Sequence, residues 1–345
     1  MKNKKVRYIF LLMSVWTCVS SYAYKYDLEV GGIYYTVNIS KRTATIVAYP
    51  GATGKVVIPD EIVYNTRHLK VTGIGDSAFE GNKNITSVSC KEPKYIGKSS
   101  FKNCSNLVSL QMPIVIDDSV PEYAFYSCTN LKYIPPFEGG YSNIESFAFC
   151  GCKSLKRLTI PGTVSHIGSG AFYNFRAEHL TIEAGDDELQ VSDVWEGGIL
   201  SADTIYWKRS NTVFKGYKGT VSARVFVLGE SVQKIPKNLF ATQKVITLLS
   251  EPAPTAVRFD ASTYLNTPLC VPSGSLEKYQ NQSGWWSNFF VMTEENYVSG
   301  IGQVRAESSN RPLYDIEGVK VGRTNKGLNI VRCSDGKLRK VMMAK

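Results

Sequence analysis

The chain has 345 residues, of which 43% are hydrophobic and 20% charged, with a formal net charge of +10. The excess sits at the two ends: residues 1–23 carry Lys2, Lys4, Lys5 and Arg7 with no acid, residues 301–345 hold ten basic and four acidic side chains, and the body between is balanced. A balanced body excludes the basic groove that a nucleic-acid backbone requires.

In chain order, the basic start leads into apolar Tyr8–Val15 and then Ser21–Tyr22–Ala23, the pattern of a secretory signal peptide (1–23) cut after Ala23. The apolar run is shorter than the ~20 residues that span a bilayer. Cys18 leaves a lipoprotein reading open, although Trp16 and Thr17 are poor neighbours for a lipidated cysteine. The expected location is secreted or at the cell surface, after export across the inner membrane.

Residues 24–70 read as an N-terminal β cap. Tyr34–Ile39 and Thr43–Val47 alternate as strands around the turn residues Ser40–Lys41–Arg42, and Val56–Val57–Ile58–Pro59 reads as a first, incomplete coil. Residues 71–267 then repeat. Phe79, Phe101, Phe125, Phe149 and Phe172 stand 22, 24, 24 and 23 residues apart, and the same step continues to Trp195, Tyr217, Phe240 and Tyr264. A fixed period of this size is the signature of a solenoid, here of about nine coils.

Within a coil, Leu155-x-x-Leu158-x-Ile160 suits a short strand with one buried face, stopped by Pro161. The following Ile167-x-x-x-Ala171-Phe172 is spaced for a short helical or 3-10 turn. Stacking such coils predicts one continuous sheet on one side and short turns on the other. Residues 183–230 lose the pattern and read as degenerate coils, yet Val225–Leu228 repeats Arg157–Ile160 at an offset of 68.

Residues 268–292 read as a C-terminal cap: strand Pro268–Pro272, a helix from Ser275, and Trp285, Trp286, Phe289 and Phe290 as an apolar plug. Residues 293–310 have linker composition, and 311–345 predict a small β-rich module with hairpin turns at Glu317–Gly318 and Asp335–Gly336.

The string I-G-x-x-A-F-x-x-C-x-x-L-x-x-L-x-I-P is carried by Ile167–Phe172 and Phe149–Pro161. On these residues the chain resembles the BspA-type leucine-rich-repeat surface and secreted proteins of host-associated bacteria. The resemblance covers about 34–292 and implies a right-handed leucine-rich-repeat solenoid of short strands and turns, capped at both ends. It implies adhesion or binding to host or neighbouring-cell molecules, and no reaction. The 311–345 module is similar to C-terminal modules associated with sorting or attachment.

No catalytic string, metal-ligand spacing or cofactor motif emerges. Cys104, Cys128 and Cys152 each follow a ladder Phe by three residues and are expected to stack as small buried thiols, because Cβ atoms one strand spacing apart are too far for a disulfide. His68, His166 and His179 lack partners at metal spacing, and Asp186–Asp187–Glu188 reads as a solvated turn. The chain is expected to be a non-enzymatic, monomeric binding protein for an extracellular or cell-surface protein or glycan, without cofactor, metal or nucleic acid. The alternative is a structural spacer that presents the C-terminal module.

The candidate ligand face is the outer side of the strands. Tyr206–Trp207–Lys208–Arg209 sets two aromatics beside two cations, and alternation forces one of the aromatics outward. Lys132, Arg157, Thr159, His179 and Thr181 are the neighbouring positions expected to face out.

Overall fold

The alternation at the end of Leu155–Ile160 folds as expected: Leu155, Leu158 and Ile160 are buried while Arg157 and Thr159 face solvent. A lone strand of this kind cannot bury its apolar side, so it pairs with the equivalent strand of the next coil. The computed structural model shows this pairing. It describes residues 7–10, 23–92, 94–116, 118–192, 200–215, 221–230, 232–233, 241–248, 261–281, 286–294, 313–314, 320–321, 327–332 and 338–343.

The chain is a parallel β-solenoid. In one wall Leu158, Leu180, Ile205, Phe226, Val245, Leu269 and Met292 stand in register across a 7-stranded parallel sheet. Phe226 lies three strands beyond Leu158, so the sequence offset of 68 is the offset of the actual stack. The degenerate stretch continues the wall with two of its longest strands, Leu200–Trp207 and Val221–Leu228. Towards the N-terminus the wall runs on through the Ser109–Tyr133 bridge into Ser109–Gln111, Ile85–Ser89 and Gly54–Val57.

Two expectations change. A second wall exists where only turns were expected. Ser119–Val120, Asn143–Ile144, His166–Ile167, Leu189–Ser192 and Thr212–Lys215 form a 5-stranded parallel sheet, because the Ile that opens each turn segment is extended and pairs with its neighbours.

The turn segment itself is not helical. Successive i-to-i+3 hydrogen bonds such as Ala78 N–H to Gly75 O, Glu80 N–H to Ser77 O and Asn82 N–H to Phe79 O are separated by left-handed residues, which a right-handed helix cannot accommodate. Ser77, Ser99, Tyr123 and Phe147 hold φ of 56, 56, 56 and 57°, with Gly170 at 63° in the next coil. A second left-handed position four residues later is filled by Gly81, Asn103, Ser127, Gly151 and Asn174. Left-handed backbone costs a residue with a Cβ roughly 1–2 kcal/mol, and Gly and then Asn bear it most easily.

Inside, Phe79, Phe101, Phe125, Phe149 and Phe172 form a near-parallel column with centroid steps of 5.4, 5.8, 5.4 and 5.5 Å. The expected column positions Trp195, Tyr217 and Phe240 lie outside the described residues. Tyr264 is buried against Phe289 of the C-terminal cap, centroids 5.2 Å apart. One apolar core runs from Ile33 to Phe289.

Both ends are closed. The N-terminal cap pairs Ile33–Asn38 with Thr43–Ala48, and the latter joins Arg67–Ile74 in parallel. Glu61–Tyr64 folds back on the same strand through the left-handed pair Asn65 and Thr66. At the other end Ala261–Asn266 and Leu276–Asn281 are the α-helices among the described residues. Of the expected plug, Trp286 and Phe289 are buried with Tyr279, Phe290 is exposed, and Trp285 lies outside the described residues. Arg7–Phe10 pairs antiparallel with Ala23–Tyr26. In the C-terminal module Leu313–Tyr314, Lys320–Val321, Gly327–Arg332 and Leu338–Met343 form a 4-stranded antiparallel sheet.

Candidate functional site

Two columns of side chains leave the outer face of the long wall. One holds Arg157, His179, Thr204 and Val225, the other Thr159, Thr181, Tyr206, Val227, Ile246, Cys270 and Thr293. Strand alternation sends Tyr206 outward, where it is 37% exposed, and Trp207 inward, where it is 0% exposed. Tyr206 lies beside the His179 ring, centroids 6.5 Å apart. Arg157, Thr159 and Lys132 are exposed, and Thr181 and His179 are half-buried.

Trp207 and Arg209 do not belong to this face. Trp207 stacks on Phe226 at 6.0 Å and its Nε1–H donates to the Arg209 carbonyl at 2.7 Å. The Arg209 guanidinium is sealed between coils, donating from Nη1 to Gly162 O at 3.0 Å and from Nη2 to Asp187 O at 2.6 Å. Glycine is required around it: a Cβ on Gly185 would stand 2.7 Å from Arg209 Nη1 and 2.2 Å from Gly162 O. A buried cation is costly unless its donors are met; the backbone carbonyls of two earlier coils take Nη1 and Nη2, while Nε is left without a partner. Lys208 stays near the surface as a bidentate partner of Glu183, at 3.0 and 2.9 Å. Asp187 thus has a backbone role within the exposed Asp186–Glu188 turn.

The outer face changes character along its length. Val227, Ile246 and Cys270 are buried there and form an apolar cluster separate from the core, with Val225 and Leu248 packed against it. The sequence reading missed this. Its signal was present in Val225–Phe226–Val227–Leu228 and Val245–Ile246, unbroken apolar runs of the kind that mark strands covered on both faces. The open part of the face therefore ends at Tyr206.

The stacked thiols are structural. Cys104, Cys128 and Cys152 donate to the carbonyls of Phe79, Phe101 and Phe125 in the preceding coils at 3.0, 3.0 and 3.1 Å. Burial pushes the Cys104 thiol up to about 12 and raises Cys128 and Cys152 as well, so none is a thiolate at neutral pH. Among the described residues, no three His, Cys, Asp or Glu side chains come together as a metal-binding group. Nor is any helix there long and apolar enough to cross a membrane. His68 Nδ1 pairs with Glu61 Oε1 at 2.7 Å on the exposed cap hairpin.

Comparison with known proteins gives one family: residues 72–192 match the BspA type leucine rich repeat region in 6 copies. Solved structures of similar chains include a leucine-rich repeat protein of T. pallidum, at 21% identity and TM-score 0.40, covering 58% of this chain and 86% of that one. A leucine-rich cell surface protein of Faecalibacterium prausnitzii has 17% identity and TM-score 0.40, covering 79% and 95%. The pneumococcal vaccine antigen PcpA has 13% identity and TM-score 0.31, covering 78% and 98%. No curated protein matches the chain.

Proposed function

Because residues 72–192 form a BspA-type leucine-rich-repeat region, we propose that the chain is a non-catalytic binding protein working outside the cell. The open strand face up to Tyr206 contacts a surface protein or glycan of a host or neighbouring cell. The observation that carries this reading is the pair of outward columns, which hold Arg157, His179 and Thr204 beside Thr159, Thr181 and Tyr206. Stacked strands space these groups at ~4.8 Å, so several weak contacts act together on a preorganised support whose backbone has little conformational entropy to lose on binding. The test is a matrix-protein and glycan array probed with the mature chain and with a Tyr206→Ala, Arg157→Ala double variant. Loss of at least one signal in the variant supports the reading; survival of every signal after removal of both side chains refutes it.

A second reading, a spacer that holds the C-terminal module away from the surface, is favoured by the ladder of charges paired from coil to coil. Lys156 pairs with Glu178, Arg176 and Arg224 both reach Asp203, and Lys208 holds Glu183. Such pairs cancel the face's own charge. A spacer tolerates the double variant and fails only when coils are deleted.

A further inference from the structure

We propose that the turn side of the solenoid, away from the strand face, carries a binding site for an extended, neutral, β-linked glycan, with the rings of Tyr126 and Tyr173 as its stacking platforms.

The turn side repeats a pattern of small left-handed residues that two adjacent coils break. Its first left-handed position carries Ser77, Ser99 and Gly170 in three coils but Tyr123 and Phe147 in the two between them. Large aromatics are poorly suited to that backbone. The fold does not need them there, since serine serves the same position twice. Strained residues mark function when the strain buys no stability of its own.

Here they build a support. Tyr123 and Phe147 stack at 5.1 Å and 8°, with the Lys102 ammonium 5.4 Å from the Tyr123 ring centre on the N-terminal side. On the other side Gly170 makes room, since a Cβ there would be 2.5 Å from Phe147 Cε1. Both faces of the stack are thus occupied, and its role is to hold Tyr126, which meets Tyr123 at 5.5 Å and Phe147 at 6.4 Å, edge to face. Tyr126 and Tyr173 fill the same coil position, directly after the ladder residues Phe125 and Phe172. Tyr173 is 43% exposed.

Cys150 occupies that position in the intervening coil and is buried, so the aromatic groups of this column are Tyr126, half-buried, and Tyr173, exposed. Two coil steps of ~4.8 Å separate the backbones carrying the tyrosines by about 10 Å, the span of two sugar rings in an extended β-1,4 chain. The turns cannot drift, because each is tied to the next coil by Asn103 N–H to Tyr126 O, Ser127 N–H to Cys150 O and Gly151 N–H to Tyr173 O.

Charge chooses the ligand class. The nearby cations are already paired, Lys98 with Glu122 at 2.6 Å and Lys102 with Glu80 at 2.8 Å. The patch therefore offers aromatic faces and short polar side chains, among them Ser127 and Asn174, rather than net charge. Aromatic faces stack on the C–H faces of sugars, and the polar rim meets their hydroxyls.

The test titrates the full chain with cellohexaose and chitohexaose by calorimetry, alongside Tyr173→Ala, Tyr173→Phe, Tyr126→Ala and, as a control on the strand face, Tyr206→Ala. The expected result is binding of at least one hexasaccharide, weakened tenfold or more by either alanine on the turn side and retained by Tyr173→Phe and Tyr206→Ala. Unchanged melting of the Tyr173→Ala chain separates lost binding from lost folding. No binding of either sugar at millimolar concentration, or binding indifferent to Tyr173→Ala, overturns the proposal. So does a turn side that captures a protein and neither sugar. Because the strand face is probed separately by Tyr206→Ala, failure here leaves the proposed function standing, and the reverse also holds.

Discussion

Trp207 and Tyr206 are neighbours in sequence and opposites in structure, so replacing each by alanine separates core from surface. Trp207 is fully buried between Ile182 and Leu228 in register, stacked on Phe226 and hydrogen-bonded to Arg209 O. Removing a buried Trp costs roughly 3–5 kcal/mol, and orphaning a buried carbonyl adds to the upper part of that range. With a urea slope of about 3 kcal/mol/M, a loss of about 4 kcal/mol lowers the midpoint by about 1.3 M. Tyr206→Ala exposes no cavity and should move the midpoint by about 0.3 M or less. The assay is urea unfolding followed by far-UV circular dichroism, since fluorescence would lose a reporter. In a solenoid each coil is held mainly by its neighbours, so Trp207→Ala should also broaden the transition or split it at the coil that contains it. A midpoint within about 0.3 M of wild type for Trp207→Ala, the shift expected of a surface substitution, would refute the assignment of Trp207 to the core.

Three further outcomes are expected. Cys128→Ser, which keeps a donor for Phe101 O, should destabilise less than Cys128→Ala, which strands that carbonyl at a cost of roughly 1–3 kcal/mol; thermal melting distinguishes them. Because the folded Cys104 thiol is raised from 9.0 to about 12, the unfolded chain ionises first on raising pH. The stability this thiol contributes is whole below pH 9.0 and falls as pH climbs towards 12, while native-state alkylation at neutral pH should spare Cys104, Cys128 and Cys152. At the C-terminal cap, the Glu294 carboxylate accepts N–H bonds from Leu276 first and then Gly274, which lowers its affinity for protons. Its contribution is therefore present above the ordinary value of 4.5 and disappears as pH falls below it, so Glu294→Gln should speed amide exchange in Leu276–Asn281 at pH 7 (a working condition set by linkage) and make no difference in acid.

Much of this architecture can be read without coordinates because a solenoid repeats its own argument. The Phe79–Phe172 spacing announces the coil, Leu155-x-x-Leu158-x-Ile160 the buried side of each strand, and the offset of 68 the register through a stretch whose pattern has faded. Those features are local or periodic, and period is what side-chain alternation writes into a sequence. Alternation likewise requires that one of Tyr206 and Trp207 point outward.

Only the tertiary structure decided which one, because the phase of a strand is set by its pairing with the next coil rather than by its own residues. The same holds for Arg209, whose place in the core depends on carbonyls of Gly162 and Asp187 in two other coils. It holds for Val227, Ile246 and Cys270, which occupy outward positions yet are buried. The turn-side aromatics look unremarkable in sequence. Their meaning appears once the left-handed backbone at Tyr123 and Phe147 is seen beside the serines that fill the same position elsewhere.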